Sequence, residues 1–129
     1  MLANFAFRLA RSHFGQRLTA LVFTKMDFLL PVQRLRDTPN LLAFHHPQPS
    51  YPLHILIVPK RSLAGLQDLS QADQDILYEI FQTAQSLVTE FNLDQVGYRL
   101  VMNGGKNQDI PLLHFHLISE SRYCHVSHD

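Results

Sequence analysis

Two histidines, His114 and His116, alternate with bulky apolar residues towards the C-terminal end of the sequence. Successive side chains of a β-strand point to opposite faces, so both imidazoles share one face, about 7 Å apart. Leu113, Phe115 and Leu117 then point to the other face, into a core. An imidazole with a reference pKa of about 6.5 is largely neutral at pH 7, so it can attack phosphorus without a separate base.

The histidine pair, taken alone, is compatible with three different roles. In the first, one imidazole attacks phosphorus and the other assists. In the second, the pair shares a Zn²⁺ ion, with a third ligand from His54 or from Cys124 and His125. In the third, the pair is structural and lies at the edge of a sheet with its hydrogen bonds satisfied. The strand by itself does not decide among them.

A polar loop precedes the histidine strand and favours an anion site. It reads Asn103-Gly104-Gly105-Lys106-Asn107, with Gln108 next. Glycines permit backbone conformations whose N–H groups converge on an anion, and the loop adds amides and an ammonium group. An ordinary β-turn is the alternative for the loop. Beside two imidazoles, however, this set of donors suits a phosphate or a similar oxyanion.

The rest of the sequence predicts the elements that must position these groups. Apolar residues at three- and four-residue intervals after Ser70, from Ile76 to Phe91, predict the longest helix. Strands are predicted over residues 31–36, 41–45, 53–58, 97–102 and 110–119, and helices within residues 2–25. This order predicts an α+β fold, with an antiparallel sheet of about five strands, one major helix and an N-terminal helical extension.

Composition bounds the function classes. The chain has 129 residues and a formal net charge of zero, so no global basic field gathers a nucleic acid polymer. No apolar run reaches the roughly 18 residues of a membrane span. The single cysteine, Cys124, excludes an intrachain disulfide and favours a reducing compartment, so we predict a cytoplasmic location. The acid-free, arginine-bearing start of the chain favours a basic helix packed on the domain or on a partner, with an organellar transit peptide, and hence an organellar matrix, as the alternative.

Several segments, in order, resemble the histidine triad (HIT) family of nucleotide-binding proteins. Residues 42–45 resemble its early strand, and residues 54–60 resemble its segment of a histidine, an apolar run, a proline and a lysine. Residues 98–103 and the strand after Gln108 resemble its catalytic half. The resemblance covers most of residues 30–120. It implies a HIT-like domain over residues 31–129, an extension over residues 1–30, and a homodimer whose sheet continues across the interface.

The resemblance also implies the chemistry. Family members carry a glutamine and, after three residues, three alternating histidines. In this register Leu112 replaces the first histidine, His114 matches the central nucleophile and His116 matches the last histidine. The resemblance implies that His114 attacks an α-phosphorus and releases an amine, an alcohol or a nucleotide, while His116 contacts phosphate oxygens and the leaving group. In the family a backbone carbonyl at the first triad position holds the central histidine, and Leu112 still supplies one.

Five further residues are implied to bind substrate. His54 matches a histidine close to the first triad position, and Asn103 and Gln108 match loop residues near the phosphate. His46 stands at the position where relatives often have an aspartate that binds the ribose. Asp109 stands at the position where many relatives have a small residue with a hydroxyl group. We therefore predict a divergent nucleoside phosphoramidase or nucleotide hydrolase acting on a small-molecule nucleotide or phosphoramidate, with no metal and no cofactor. The alternative is a non-catalytic module that binds nucleotide or phosphate.

Overall fold

The computed structural model describes residues 34–121, and these form an antiparallel sheet with one long helix against it. Within them the elements are β1 (Arg34–Asp37), β2 (Leu41–His45), β3 (Leu53–Pro59), α1 (Gln74–Glu90), α2 (Leu93–Val96), β4 (Arg99–Val101) and β5 (Phe115–Ser119). The strand order is β1-β2-β3-β5-β4, and every neighbouring pair is antiparallel. The predicted α+β fold is confirmed. The helices predicted within residues 2–25, and Cys124 with His125, lie outside the described residues.

The long helix α1 forms where the apolar spacing predicts it. Its buried residues recur at helical intervals and pack on the sheet. A 3-10 turn, Gln71–Asp73, immediately precedes α1, and the Asp73 carboxylate accepts hydrogen bonds from the Ser70 backbone N–H at 3.0 Å and from Arg61. These hydrogen bonds fix the conformation of the chain immediately before the helix. At the other end Asn92 adopts a left-handed conformation, φ 54°, which a helix cannot continue.

The sheet has two different faces: one packs on α1, and the other, the open face, does not. Ile55 and Ile57 of β3 belong to the core cluster that includes the buried face of α1. Because side chains alternate along a strand, His54 and Leu56 point to the side away from α1. Leu56 of β3 is paired with His116 of β5, and such partners share a face. His54 and His116 therefore lie on the sheet face opposite the long helix.

The last strand is shorter than predicted. The structure assigns β5 to Phe115–Ser119, so the prediction of a strand over residues 110–114 was wrong. The backbone N–H of Leu112 donates to the carbonyl of Ile110 at 2.8 Å, and that of Leu113 donates to the carbonyl of Leu63 at 2.7 Å. These backbone groups bond within the segment and to a remote loop, so they cannot form a ladder with β3. Similarly, β4 is confined to Arg99–Val101 of the predicted residues 97–102.

Apolar packing holds the irregular segment on the open face of the sheet. Ile110 and Leu112 form a second buried cluster with Leu42, Phe44, Leu56 and Val58. This cluster places the loop that precedes His114 directly over the even-numbered side chains of β2 and β3. No helix in the described part of the chain is long and apolar enough to cross a membrane.

Candidate functional site: a cavity lined by histidines

A small cavity opens on the sheet face opposite α1. Its volume is about 70 Å³, and it is lined by His46, Leu56, Asn103, Asp109, Ile110, His114 and His116. The loop after β2, strand β3, the loop after β4 and strand β5 all contribute to it. The structure thus brings together five residues singled out from the sequence, namely His46, Asn103, Asp109, His114 and His116.

The ring of His114 is held in one orientation by the backbone two residues earlier. Its Nδ1 lies 2.6 Å from the carbonyl oxygen of Leu112. A carbonyl only accepts, so Nδ1 carries the proton and the neutral ring keeps its lone pair on Nε2. Burial lowers the pKa of His114, although the bond to Leu112 and the charge of Asp109 act in the opposite direction. At neutral pH His114 is therefore a neutral imidazole with a nucleophilic Nε2.

His116 belongs to a chain of hydrogen bonds that starts at a backbone amide. The N–H of Ser50 donates to Nδ1 of His54 at 3.1 Å, so the ring proton of neutral His54 lies on Nε2. That Nε2 lies 2.8 Å from Nδ1 of His116 and donates to it. His116 must then carry its own proton on Nε2. The hydrogen bond from the Ser50 amide thus determines which nitrogen of His54, and in turn of His116, carries the proton.

The environment of His116 opposes a positive charge. Burial, as the largest cause, and the neighbouring rings of His114, His54 and His46 together lower its pKa to about 3. The rings of His114 and His116 are inclined at 63° to each other, with centroids 4.9 Å apart. At neutral pH His116 is uncharged and offers an N–H donor beside the nucleophilic ring.

The ring of His46 packs against the ring of His54. Its ring centroid lies 4.3 Å from that of His54, and its Nδ1 accepts a hydrogen bond from the Gln48 backbone N–H at 2.9 Å. Because Nδ1 accepts this hydrogen bond, the ring N–H of His46 is on Nε2. An N–H donor on the cavity wall can bind a hydroxyl or a phosphoryl oxygen.

Gln108 lies outside the cavity. Its side-chain nitrogen donates to the carbonyl oxygens of Ala64 and Ile110, the latter at 3.0 Å, so it links two loops. Its assignment as a substrate-binding residue stays a prediction.

Gly105 has φ +59°, the conformation that the polar loop needs and that glycine adopts without strain.

Some features of the site were missed in the sequence. Leu56 and Ile110 form its apolar wall. Leu56 could have been found, because it follows His54 by two residues in a strand and therefore shares its face. The donor from Ser50 has no sequence signal, since any residue other than proline offers the same backbone N–H.

The zinc alternative finds no support among residues 34–121, where no group of three or more His, Cys, Asp or Glu side chains is arranged to hold a metal ion. Both nitrogens of His54, the third ligand considered, already take part in hydrogen bonds. Cys124 and His125 lie beyond the described residues.

Comparison with known proteins places these features in a family. The family model described as the HIT domain matches residues 30–123. An uncharacterized HIT-like protein of Rickettsia prowazekii is 33% identical over 88 residues, which is 67% of this chain and 73% of that protein. The crystal structure of a HIT family hydrolase from Legionella pneumophila is 30% identical, with a TM-score of 0.72 over 78% of this chain and 92% of that one. A histidine triad protein from Clostridium difficile is 26% identical, with a TM-score of 0.71 over 81% and 90% of the two chains.

Proposed function

This chain belongs to the histidine triad family, and we propose that it hydrolyses phosphoramidates or other nucleotide derivatives at an α-phosphate, with His114 as the nucleophile. One observation carries the proposal: the hydrogen bond from Nδ1 of His114 to Leu112 leaves the lone pair on Nε2, in a cavity with two further imidazoles. The similarity to a protein described as a HIT family hydrolase supports the same class of reaction.

The proposed reaction has two displacements at phosphorus. First, Nε2 of His114 forms a bond to the α-phosphorus, and the bond from phosphorus to the leaving nitrogen or oxygen breaks with its electron pair. The leaving atom takes a proton from water, and the Nε2–H of His116 donates a hydrogen bond to it or to a phosphoryl oxygen. Water then attacks the phosphorus and loses a proton to solvent, while the bond between phosphorus and Nε2 of His114 breaks and its electron pair returns to Nε2.

The test offers adenosine 5′-phosphoramidate and diadenosine polyphosphates to the wild-type protein and to the His114→Ala variant. We expect the wild type to release AMP and the variant to lose at least about a thousandfold in kcat, as nucleophile removal does in other enzymes. A control, His45→Ala, removes a histidine that packs against Phe91 away from the cavity and should retain turnover. Equal turnover by wild type and His114→Ala contradicts the proposal.

A second candidate function is a binding module without catalysis. It is favoured by Leu112, which the family resemblance places at the first triad position, and by the carboxylate of Asp109 on the cavity wall. Calorimetry with AMP separates the candidates: binding without product from any substrate supports the module. Absence of both binding and turnover contradicts both candidates.

We further propose that the protein is a homodimer formed at the edge strand β4. Strand β4 is paired on one side only, with β5, in the sheet formed by residues 34–121. Beside it lies a groove of about 580 Å³ between α1 and β4, whose lining includes the exposed aromatic residues Phe81 and Tyr98. Sedimentation velocity should give twice the chain mass for the wild type and a lower mass for Tyr98→Lys. A wild-type monomer contradicts the proposed dimer.

The compartment and the domain limits are proposals of the same kind. We propose a cytoplasmic protein, with the organellar matrix as the alternative, in which residues 31–129 form the catalytic domain and residues 1–30 an extension. A fluorescent fusion at the C-terminus distinguishes the compartments. Deletion of residues 1–30 should leave kcat unchanged, and a loss of turnover in a folded protein would contradict the proposed boundary.

A further inference from the structure

Among the described residues that line it, the cavity has one formal charge, and that charge is negative, which is unusual for an anion site. Among residues 34–121, the side chains that line it are three imidazoles, one amide, two aliphatic groups and the carboxylate of Asp109. His114 and His116 are neutral at pH 7, as their environments dictate. No lysine or arginine of the described residues lines the cavity, and the nearby Lys106 is exposed outside it.

We propose, on the basis of the proposed function, that Asp109 is a specificity-determining residue that selects substrates whose leaving group is an amine carrying positive charge. Such a leaving group is attracted by the carboxylate while it departs. A pyrophosphate, a nucleotide or a carboxylate-bearing amine brings negative charge next to Asp109 and is disfavoured.

The position of Asp109 supports this role. It lines the same cavity of about 70 Å³ as His114, so its carboxylate borders the space that a substrate attacked by His114 would occupy. Its charge acts on the nucleophile itself, because it opposes the lowering of the His114 pKa. Asp109 is exposed, however, so water screens its field, and we expect a discrimination of about tenfold between leaving groups that differ by two units of charge.

The experiment compares two AMP phosphoramidates of similar size. In one, AMP is joined through its phosphorus–nitrogen bond to ethylenediamine, which carries a distal ammonium. In the other, AMP is joined to β-alanine, which carries a distal carboxylate. We expect wild type to prefer the ammonium substrate by about tenfold or more in kcat/KM, and Asp109→Asn to bring the ratio to within about threefold of unity.

Asp75→Asn is the matched control. It removes the same charge from an exposed aspartate in the first turn of α1, on the other side of the sheet, and should keep the wild-type ratio. A ratio that is unchanged in Asp109→Asn, or a wild-type preference for the carboxylate substrate, overturns the inference while leaving the proposed hydrolysis intact.

Calorimetry covers the case of a protein that binds without turnover. The dissociation constants of the same two conjugates then replace kcat/KM, and the same dependence on Asp109 is expected. If the wild type neither binds nor cleaves either conjugate, the proposed function itself fails, and the inference that rests on it fails with it.

Discussion

Nε2 of His54 lies 2.8 Å from Nδ1 of His116, although the two residues are separated by 62 positions in the sequence. His54 itself is fixed by the backbone N–H of Ser50. The family resemblance implies that His54 lies near Leu112, whose side chain offers no hydrogen bond. In the structure His54 donates a hydrogen bond to the second histidine of the cavity, and five expected outcomes follow from this geometry and its surroundings.

Replacement of His54 should impair catalysis through His116. In His54→Ala, Nδ1 of His116 loses its donor, so the ring can carry its proton on either nitrogen and can rotate. We expect kcat to fall by about 10- to 100-fold with KM changed by less than threefold, as for other residues that orient a catalytic group. The measurement is steady-state kinetics with adenosine phosphoramidate, and an unchanged kcat would contradict the role assigned to His54.

The activity should persist at mildly acidic pH. Burial lowers the pKa of His114 below its usual 6.5, so the nucleophile stays neutral at pH values where an exposed histidine is already protonated. We therefore expect kcat/KM to be flat from neutral pH down to 6.5 and to fall only below that value. A pH profile of kcat/KM checks this. A midpoint at or above 6.5 would show that the nucleophile is not shielded as the structure indicates.

The same histidines should make the fold less stable in acid. His116 has a pKa of about 3 in the folded protein and about 6.5 when unfolded, so between these values the unfolded chain binds more protons. The free energy of unfolding should therefore fall as pH drops below 6.5, by at most about 1 kcal/mol per pH unit from His116 after solvent screening.

Urea unfolding at pH 7 and pH 5 measures this dependence. His116→Gln cannot be protonated, so it should lose less stability than the wild type between the two pH values. His45, His54 and His114 also have lowered pKa values from burial and should keep part of the effect in that variant. An equal loss in wild type and His116→Gln would show that His116 is not the depressed group.

Leu112 should matter for stability through its side chain and for catalysis through its carbonyl. Its side chain is 2% exposed and packs with Phe44 and Leu56. Leu112→Ala should lower the free energy of unfolding by about 2–4 kcal/mol. The carbonyl that holds His114 belongs to the backbone, so the folded fraction should keep kcat within about threefold of the wild type. A stable variant with abolished activity would point to a direct role of the side chain.

Leu112→His introduces an imidazole at the position where the family resemblance expects one. The sequence predicts that this variant has higher activity than the wild type. The site is apolar, however, so burial of the imidazole should lower stability by about 1–3 kcal/mol unless it finds a partner. Kinetics and urea unfolding on the same preparation separate the two effects, and unchanged or lower kcat would contradict the activity prediction.

The sequence by itself determined the elements whose pattern is local. The apolar spacing from Ile76 to Val88 specifies α1, because a helix buries one face at intervals of three and four residues. Alternation specifies that Phe115 and Leu117 enter the core while His116 faces away from it. The family resemblance added the residues expected around a phosphate, and most of these do line one cavity.

Only the tertiary structure decided which partners these side chains meet. The irregular path of residues 110–114 depends on a bond between Leu113 and Leu63, fifty positions apart, which no local pattern encodes. The contact of His54 with His116 depends on how β3 and β5 are aligned, since Leu56 is paired with His116. Hydrogen bonds between remote segments are set by the register and packing of the whole sheet. The tautomers of the cavity histidines follow from these bonds, and so they follow from the fold.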